Sequence, residues 1–132
     1  MKALKNHIVD FLGGELGTVI EDAQNMAEQL DVEPLEPVSA IIKQIHGACV
    51  VAELDSLAPL FHEMLLAIEG VLSGEIEREG LNELLATSLL TAGKFAAVMA
   101  IEMQENPCTL LPEMTAFRRL RARRRIGVHG LT

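Results

Sequence analysis

IIKQIHGACVVAELDSLAPLFHEMLLAIEGVLSG, residues 41–74, decides the fold class. Ile41, Ile42, Ile45, Ala48, Cys49 and Ala52 step by three and four, the spacing that gathers side chains on one face of an α-helix. The same spacing resumes at Leu57, Leu60, Phe61, Met64, Leu65, Ile68, Val71 and Leu72. Between the runs lies a short polar connection in which Asp55 is placed to cap the second helix, and Pro59 is tolerable in its first turn. Gly74 is expected to end that helix, because glycine takes the left-handed conformation without a Cβ clash. Two long helices joined by so short a link lie antiparallel.

Helical spacing continues on both sides. Upstream, Leu4, Ile8, Phe11, Leu12, Leu16, Val19, Ile20, Ala23, Met26, Ala27 and Leu30 form one wide apolar stripe, interrupted by Gly13-Gly14. Each of these glycines weakens local helix preference by about 1 kcal/mol relative to Ala, so the pair marks a kink or a close helix approach. DVEPLEP, residues 31–37, breaks the stripe, and Pro37 suits the opening of the next helix, expected over 38–52. After EIEREG a further helix is expected over 81–104, lined by Leu84, Leu85, Leu89, Phe95, Val98, Met99 and Ile101 and stopped at Glu105-Asn106-Pro107. A shorter one over 112–124 carries Met114, Phe117 and Leu120 on one side. No alternation long enough for a strand and no internal repeat is present. The expectation is an all-α protein: an antiparallel up-down four-helix bundle over 1–108, with an additional C-terminal basic helix and tail over 109–132, packed on the bundle or extending from it.

Composition agrees. With 132 residues, 49% hydrophobic content, 3% aromatic content and neither Trp nor Tyr, one domain must build its core from Leu, Ile, Val, Ala and Met. Cys49 and Cys108 stand far apart in no metal-binding or redox pattern and read as reduced, buried thiols. MKALKNHIVDF is not expected to be a secretory leader, and no uninterrupted run of 18 apolar residues occurs, so a cytoplasmic location without a transmembrane segment is expected.

Charge is unevenly spread. Residues 1–117 hold all 19 acidic residues against five basic ones, while Arg118, Arg119, Arg121, Arg123, Arg124 and Arg125 form a basic patch that brings the formal charge to −8. An acidic body disfavours nucleic acid, whose binding scales with the number of phosphate-neutralising cations. Three uses are open to the patch: a solvated helix end, packing against the acidic bundle, or a ligand for an acidic partner or anionic lipid.

Signatures of catalysis and metal binding are missing from the sequence. His62-Glu63 begins like a helical zinc motif, but position 66 is Leu where a second histidine would be needed. His46 and His62 fall on adjacent helices without a fixed third ligand, and His62 is expected to be partly buried and hydrogen-bonded across the bundle. Met26, Met64, Met99, Met103 and Met114 read as core filler, and the many carboxylates as solvated helix faces. No metal, no cofactor and no enzymatic activity are expected.

The opening stretch resembles the central hairpin of a histidine-phosphotransfer (HPt) domain of the chemotaxis-kinase type. Such domains carry His-x-x-Lys-Gly on one helix, then a Leu-containing turn, then a second His and a Glu on the next. In the gap-free register Gly47 takes the glycine, Leu54-Asp55 the turn and His62 the second histidine. Lys43 then occupies the phosphoacceptor position and His46 the lysine position. Lysine is no relay nucleophile at neutral pH, since its pKa is about 10.4 and its ammonium has no lone pair. In the alternative register His46 is the acceptor, but Val50 then fills the position one turn on where clearance is needed, and Leu54 and His62 are displaced by three.

Within this class the chain is similar to the degenerate N-terminal HPt-like domains of the ChpA-like kinase that serves type IV pili, and to the related FimL-type regulator. The similarity rests on Ile45-His46-Gly47, Glu53-Leu54-Asp55, His62-Glu63-Met64, and Leu110-Leu111-Pro112 through Phe117-Arg118 to Arg121, and spans about residues 7–122. It implies a non-catalytic module of bacterial chemosensory or twitching-motility signalling that binds a response-regulator receiver domain or a polar scaffold protein. The implied docking face is Lys43, His46, Gly47, Val50 and Glu53. Two alternatives stay open: an active phosphotransfer protein with His46 as phosphoacceptor, and a structural bundle that self-associates as a homodimer.

Overall fold

A computed structural model describes residues 2–29, 34–105 and 110–123. The chain is mostly helical. Helix α1 (Asn6–Phe11) runs through a π-helical turn (Leu12–Leu16) into α2 (Gly17–Ala27). Then follow α3 (Glu36–Val51), α4 (Leu57–Leu72), α5 (Arg78–Glu102) and α6 (Leu111–Ala122). Two short strands, β1 (Lys2–Ala3) and β2 (Gln104–Glu105), pair antiparallel, with Lys2 opposite Glu105. This small ladder was not visible as alternation in the sequence, because two residues are too few to alternate.

Helix α5 packs along α2, α3 along α4, and α6 lies on α4 and touches α5. The faces turned together supply one core in which Leu12, Leu16, Ile20, Ile42, Ile45, Leu54, Leu60, Phe61, Met64 and Phe117 are all but inaccessible. Each such side chain contributes about 1.5–3 kcal/mol by leaving water, against the entropy of ordering the chain. Pro37 sits in the first turn of α3, as its missing N–H favours.

The double glycine lies inside the π-helical turn, where one extra residue is accommodated. A Cβ on Gly13 would meet Ala100 at an ordinary 3.8 Å, so crowding is not what selects glycine there. Two residues of weak helix preference let the turn widen. The tighter approach is at Gly17, where a Cβ would stand 3.3 Å from the Leu12 carbonyl oxygen.

The connection from α3 to α4 is set by backbone geometry. Glu53 has φ 57°, in the left-handed region, and the N–H groups of Glu53 and Leu54 donate to the carbonyls of Val50 (3.1 Å) and Cys49 (2.9 Å). These bonds form a Schellman motif, with Leu54 buried beneath it. Helix α4 ends in the same way, with Gly74 at φ 84° and the Glu75 N–H on the Gly70 carbonyl at 2.9 Å. Asp55 does not cap α4. The cap position is Ser56, and its own side chain does not cap the helix.

Several expected core positions lie outside the core. Val98 is 47% exposed and Ile101 82%, because α5 meets its neighbours along a narrower stripe than its apolar residues span; Leu72, the last residue of α4, is 50% exposed and Met103, just past α5, 44%. Met103, left-handed at φ 57°, ends α5 ahead of 105–107. By length and composition α5 could cross a membrane, with 25 residues and a mean hydropathy of 1.7 over its most apolar window. In this fold its Leu81, Leu85, Leu89, Ala92, Ala96 and Met99 are core residues. Cys49 is fully buried, and burial, followed by the negative charge of Glu105, pushes its thiol up to about 12. Cys108, Arg124 and Arg125 lie outside the described residues.

Candidate functional site

Lys43, His46, Gly47 and Val50 fall at i, i+3, i+4 and i+7 of α3 and therefore share one face. Lys43 and Gly47 are exposed, Val50 is 53% exposed and His46 is half-buried. A Cβ on Gly47 would meet nothing within 4 Å among the described residues. His62, expected to be partly buried and bonded across the core, is instead exposed on α4. Its ring stands 5.7 Å from that of His46, centroid to centroid, with the planes tilted by 32°. Burial, and then the charge that His62 can carry, hold His46 below the ordinary imidazole range. Both effects favour the neutral ring, which keeps one nitrogen lone pair.

Glu53 belongs to the turn rather than to the helical face. Its carbonyl oxygen accepts from the Lys2 ammonium, which also pairs with Asp55 Oδ2 at 3.2 Å and Glu105 Oε1 at 3.4 Å. Burial works against the Lys2 charge, but the Asp55 hydrogen bond and the charges of Glu105 and Asp55 outweigh it and raise its pKa. Glu105, 1% exposed, accepts from the Ser56 N–H at 3.0 Å and from the Ser56 hydroxyl. A carboxylate from β2, just past the end of α5, thus stands where Asp55 was expected to act: it holds the N-cap residue Ser56 and places a negative charge near the positive dipole end of α4.

A second buried carboxylate holds α6. Glu63, 6% exposed, accepts from Arg121 Nη2 at 3.0 and 2.9 Å and from Arg118 Nε at 3.1 Å. Two of the six arginines of the basic patch are therefore turned onto the acidic helix, while Arg119 and Arg123 are exposed. Glu63 and Glu105 correct the expectation that the carboxylates are all solvated. The sequence signal for the first is the i, i+3 arginine pair at 118 and 121, but its partner is 55 residues away and cannot be read from spacing.

Among the described residues no group of three or more His, Cys, Asp or Glu side chains is arranged to hold a metal. Cys49, protonated and enclosed, offers no thiolate. No family model, no curated protein and no solved structure matches this chain. Chemistry on the α3–α4 face therefore has to be derived from its own residues: a cation, two adjacent imidazoles, and a glycine clearing with an exposed valine beside it.

Proposed function

We propose that the chain is a non-catalytic, HPt-like interaction module that binds a response-regulator receiver domain or a scaffold protein through Lys43, His46, Gly47 and Val50, with Glu53 at the rim. In this proposal α1 through α2, α3, α4 and α5 form an antiparallel up-down four-helix bundle, α6 is an added helix, and the module works in the cytoplasm in chemosensory or type IV pilus control. Gly47 carries the case. Glycine inside a helix costs about 1 kcal/mol relative to alanine, and no neighbour among the described residues would be crowded by a Cβ at this position. A destabilising residue that no described neighbour requires, in the middle of an exposed face, is best explained by clearance for something outside. Lys43 and the two imidazoles make that surface suited to an acidic recess.

The direct test mixes the protein with phosphorylated receivers and follows intact mass and phosphoryl label, beside a Gly47→Leu variant in a binding assay. Binding without label, lost in Gly47→Leu while the helical signal is kept, is the expected result. A receiver panel that binds wild type and Gly47→Leu equally, or not at all, overturns the docking proposal. The burial that favours a neutral His46 ring supports one second reading, transfer through His46 itself. Label that appears on the wild type and vanishes in His46→Gln would establish it, although Val50 then stands where the approaching domain needs room.

A further inference from the structure

His46 and His62 are the only pair of imidazoles brought together among the described residues, and neither ring is committed to a hydrogen bond, ion pair or other ring. They come from different helices, α3 and α4, at positions 16 apart in sequence, and the core contacts of Ile45 and Phe61 beside them fix their backbone positions. We infer that His46 and His62 form a two-histidine site for a divalent transition-metal ion of the zinc, nickel or copper type, with water completing the coordination. A metal–nitrogen bond of about 2.0–2.1 Å puts each ring centroid about 3.2 Å from the ion, so two imidazoles at a tetrahedral angle stand about 5.2 Å apart. The rings are already 5.7 Å apart, a separation that a small χ1 adjustment or a nitrogen–metal–nitrogen angle somewhat wider than tetrahedral accommodates. Imidazole nitrogen suits these ions rather than magnesium or calcium, which require oxygen donors, and among them copper should bind most tightly.

The surroundings permit the site without completing it. His62 is exposed, so water has access to the open positions, and Lys43, one turn before His46, is exposed and can swing away from a cation. Glu63, next to His62 in sequence, is buried against Arg118 and Arg121 on the other side of α4 and supplies no oxygen. An ion held by both rings joins α3 to α4, so it must stabilise the folded chain by an amount set by its concentration relative to its dissociation constant. The site shares residues with the proposed docking face but does not depend on that proposal, because the ion alone is the probe.

The experiment titrates the full chain with Ni²⁺ and Cu²⁺ by calorimetry and records thermal unfolding with and without saturating metal. His46→Gln, His62→Gln, His7→Gln and His129→Gln are carried alongside, each checked for retained helical signal. Expected are one ion per chain, a raised Tm in the wild type, at least tenfold weaker binding in His46→Gln and in His62→Gln, and unchanged binding in the other two. Copper-bound wild type should show two nitrogen ligands by electron paramagnetic resonance, and either site variant one. No saturable binding, binding that survives in both site variants, or binding lost only with His7 or His129 overturns the assignment.

Discussion

Replacing Arg121 by Leu should separate a structural ion cluster from a decorative one. The Glu63 side chain is 7% exposed and holds Arg121, 32% exposed, through contacts to both carboxylate oxygens, whereas Arg118, 56% exposed, reaches one oxygen at 3.1 Å. A hydrogen bond to a charged group contributes about 1.5–3 kcal/mol, and removing the partners of a buried charge costs about 3–5 kcal/mol because the charge is left without compensation. Arg118 still covers Glu63 in Arg121→Leu, so that variant should lose about 2–3 kcal/mol, and Arg118→Leu, half in water already, about 1 kcal/mol. The double variant strands the carboxylate and should lose about 3–5 kcal/mol. Glu63→Met removes the buried charge and frees two arginines that can turn to solvent, so it should cost less than the double variant. Urea unfolding followed by helical circular dichroism gives all four values, and the Arg121 effect should persist in high salt because the cluster is partly shielded from solvent. An Arg121→Leu loss below about 0.5 kcal/mol, the range of ordinary surface changes, would refute the clasp, as would Glu63→Met proving worse than the double variant.

Three further outcomes follow from the turns and the core. Glu53→Gly relieves a left-handed non-glycine residue and keeps the carbonyl that Lys2 uses, so thermal unfolding should show about 1 kcal/mol of added stability; an unchanged midpoint would contradict it. Gly70→Ala would press a Cβ against Ile76, 2.9 Å from its Cγ1, where Ile76 is only 5% exposed, and should cost about 1–3 kcal/mol, partly recovered by Ile76→Val. Cys49, with its thiol pushed up to about 12, should resist alkylation at pH 8.5 until the chain unfolds, as peptide mapping would reveal. Because the folded thiol keeps its proton where the unfolded one, at about 8.5, loses it, stability is full below that pH and declines as pH rises toward 12. Cys49→Ala should flatten that decline.

The helices and most of the core were legible because 3.6-residue periodicity is a local property. Ile42, Ile45, Cys49, Leu60, Phe61, Met64 and Phe117 are buried as their spacing requires, and Gly74 ends α4 as its chemistry predicts. What stayed hidden depends on partners distant in sequence. Nothing local to Asp55 shows that Glu105 will take over the start of α4, and nothing local to Glu63 shows that Arg118 and Arg121 will cover it. The exposure of Val98 and Ile101 likewise reflects how many neighbours α5 has, which its own pattern does not encode. On the α3 face the positions of Lys43, His46, Gly47 and Val50 were readable from i, i+3, i+4 spacing, but the approach of His62 to His46 needed the relative rotation of two helices.

The two hidden carboxylates also explain why that face has a fixed shape. Helix α4 is held at its N-cap, Ser56, by Glu105 of β2, and in its middle by Glu63, which ties it to α6. Helix α3 is tied to α4 through the Glu53–Leu54 turn, whose carbonyl is in turn fixed by Lys2 from β1. Rotation of α4 about its axis by one residue, 100°, would carry His62 away from His46, and it would also pull Glu63 from its two arginines. The cluster that secures α6 and the juxtaposition of the two imidazoles are therefore one geometric condition. Loosening the Arg clasp should be felt at the α3–α4 face as well as in global stability, since both depend on the same rotational setting of α4.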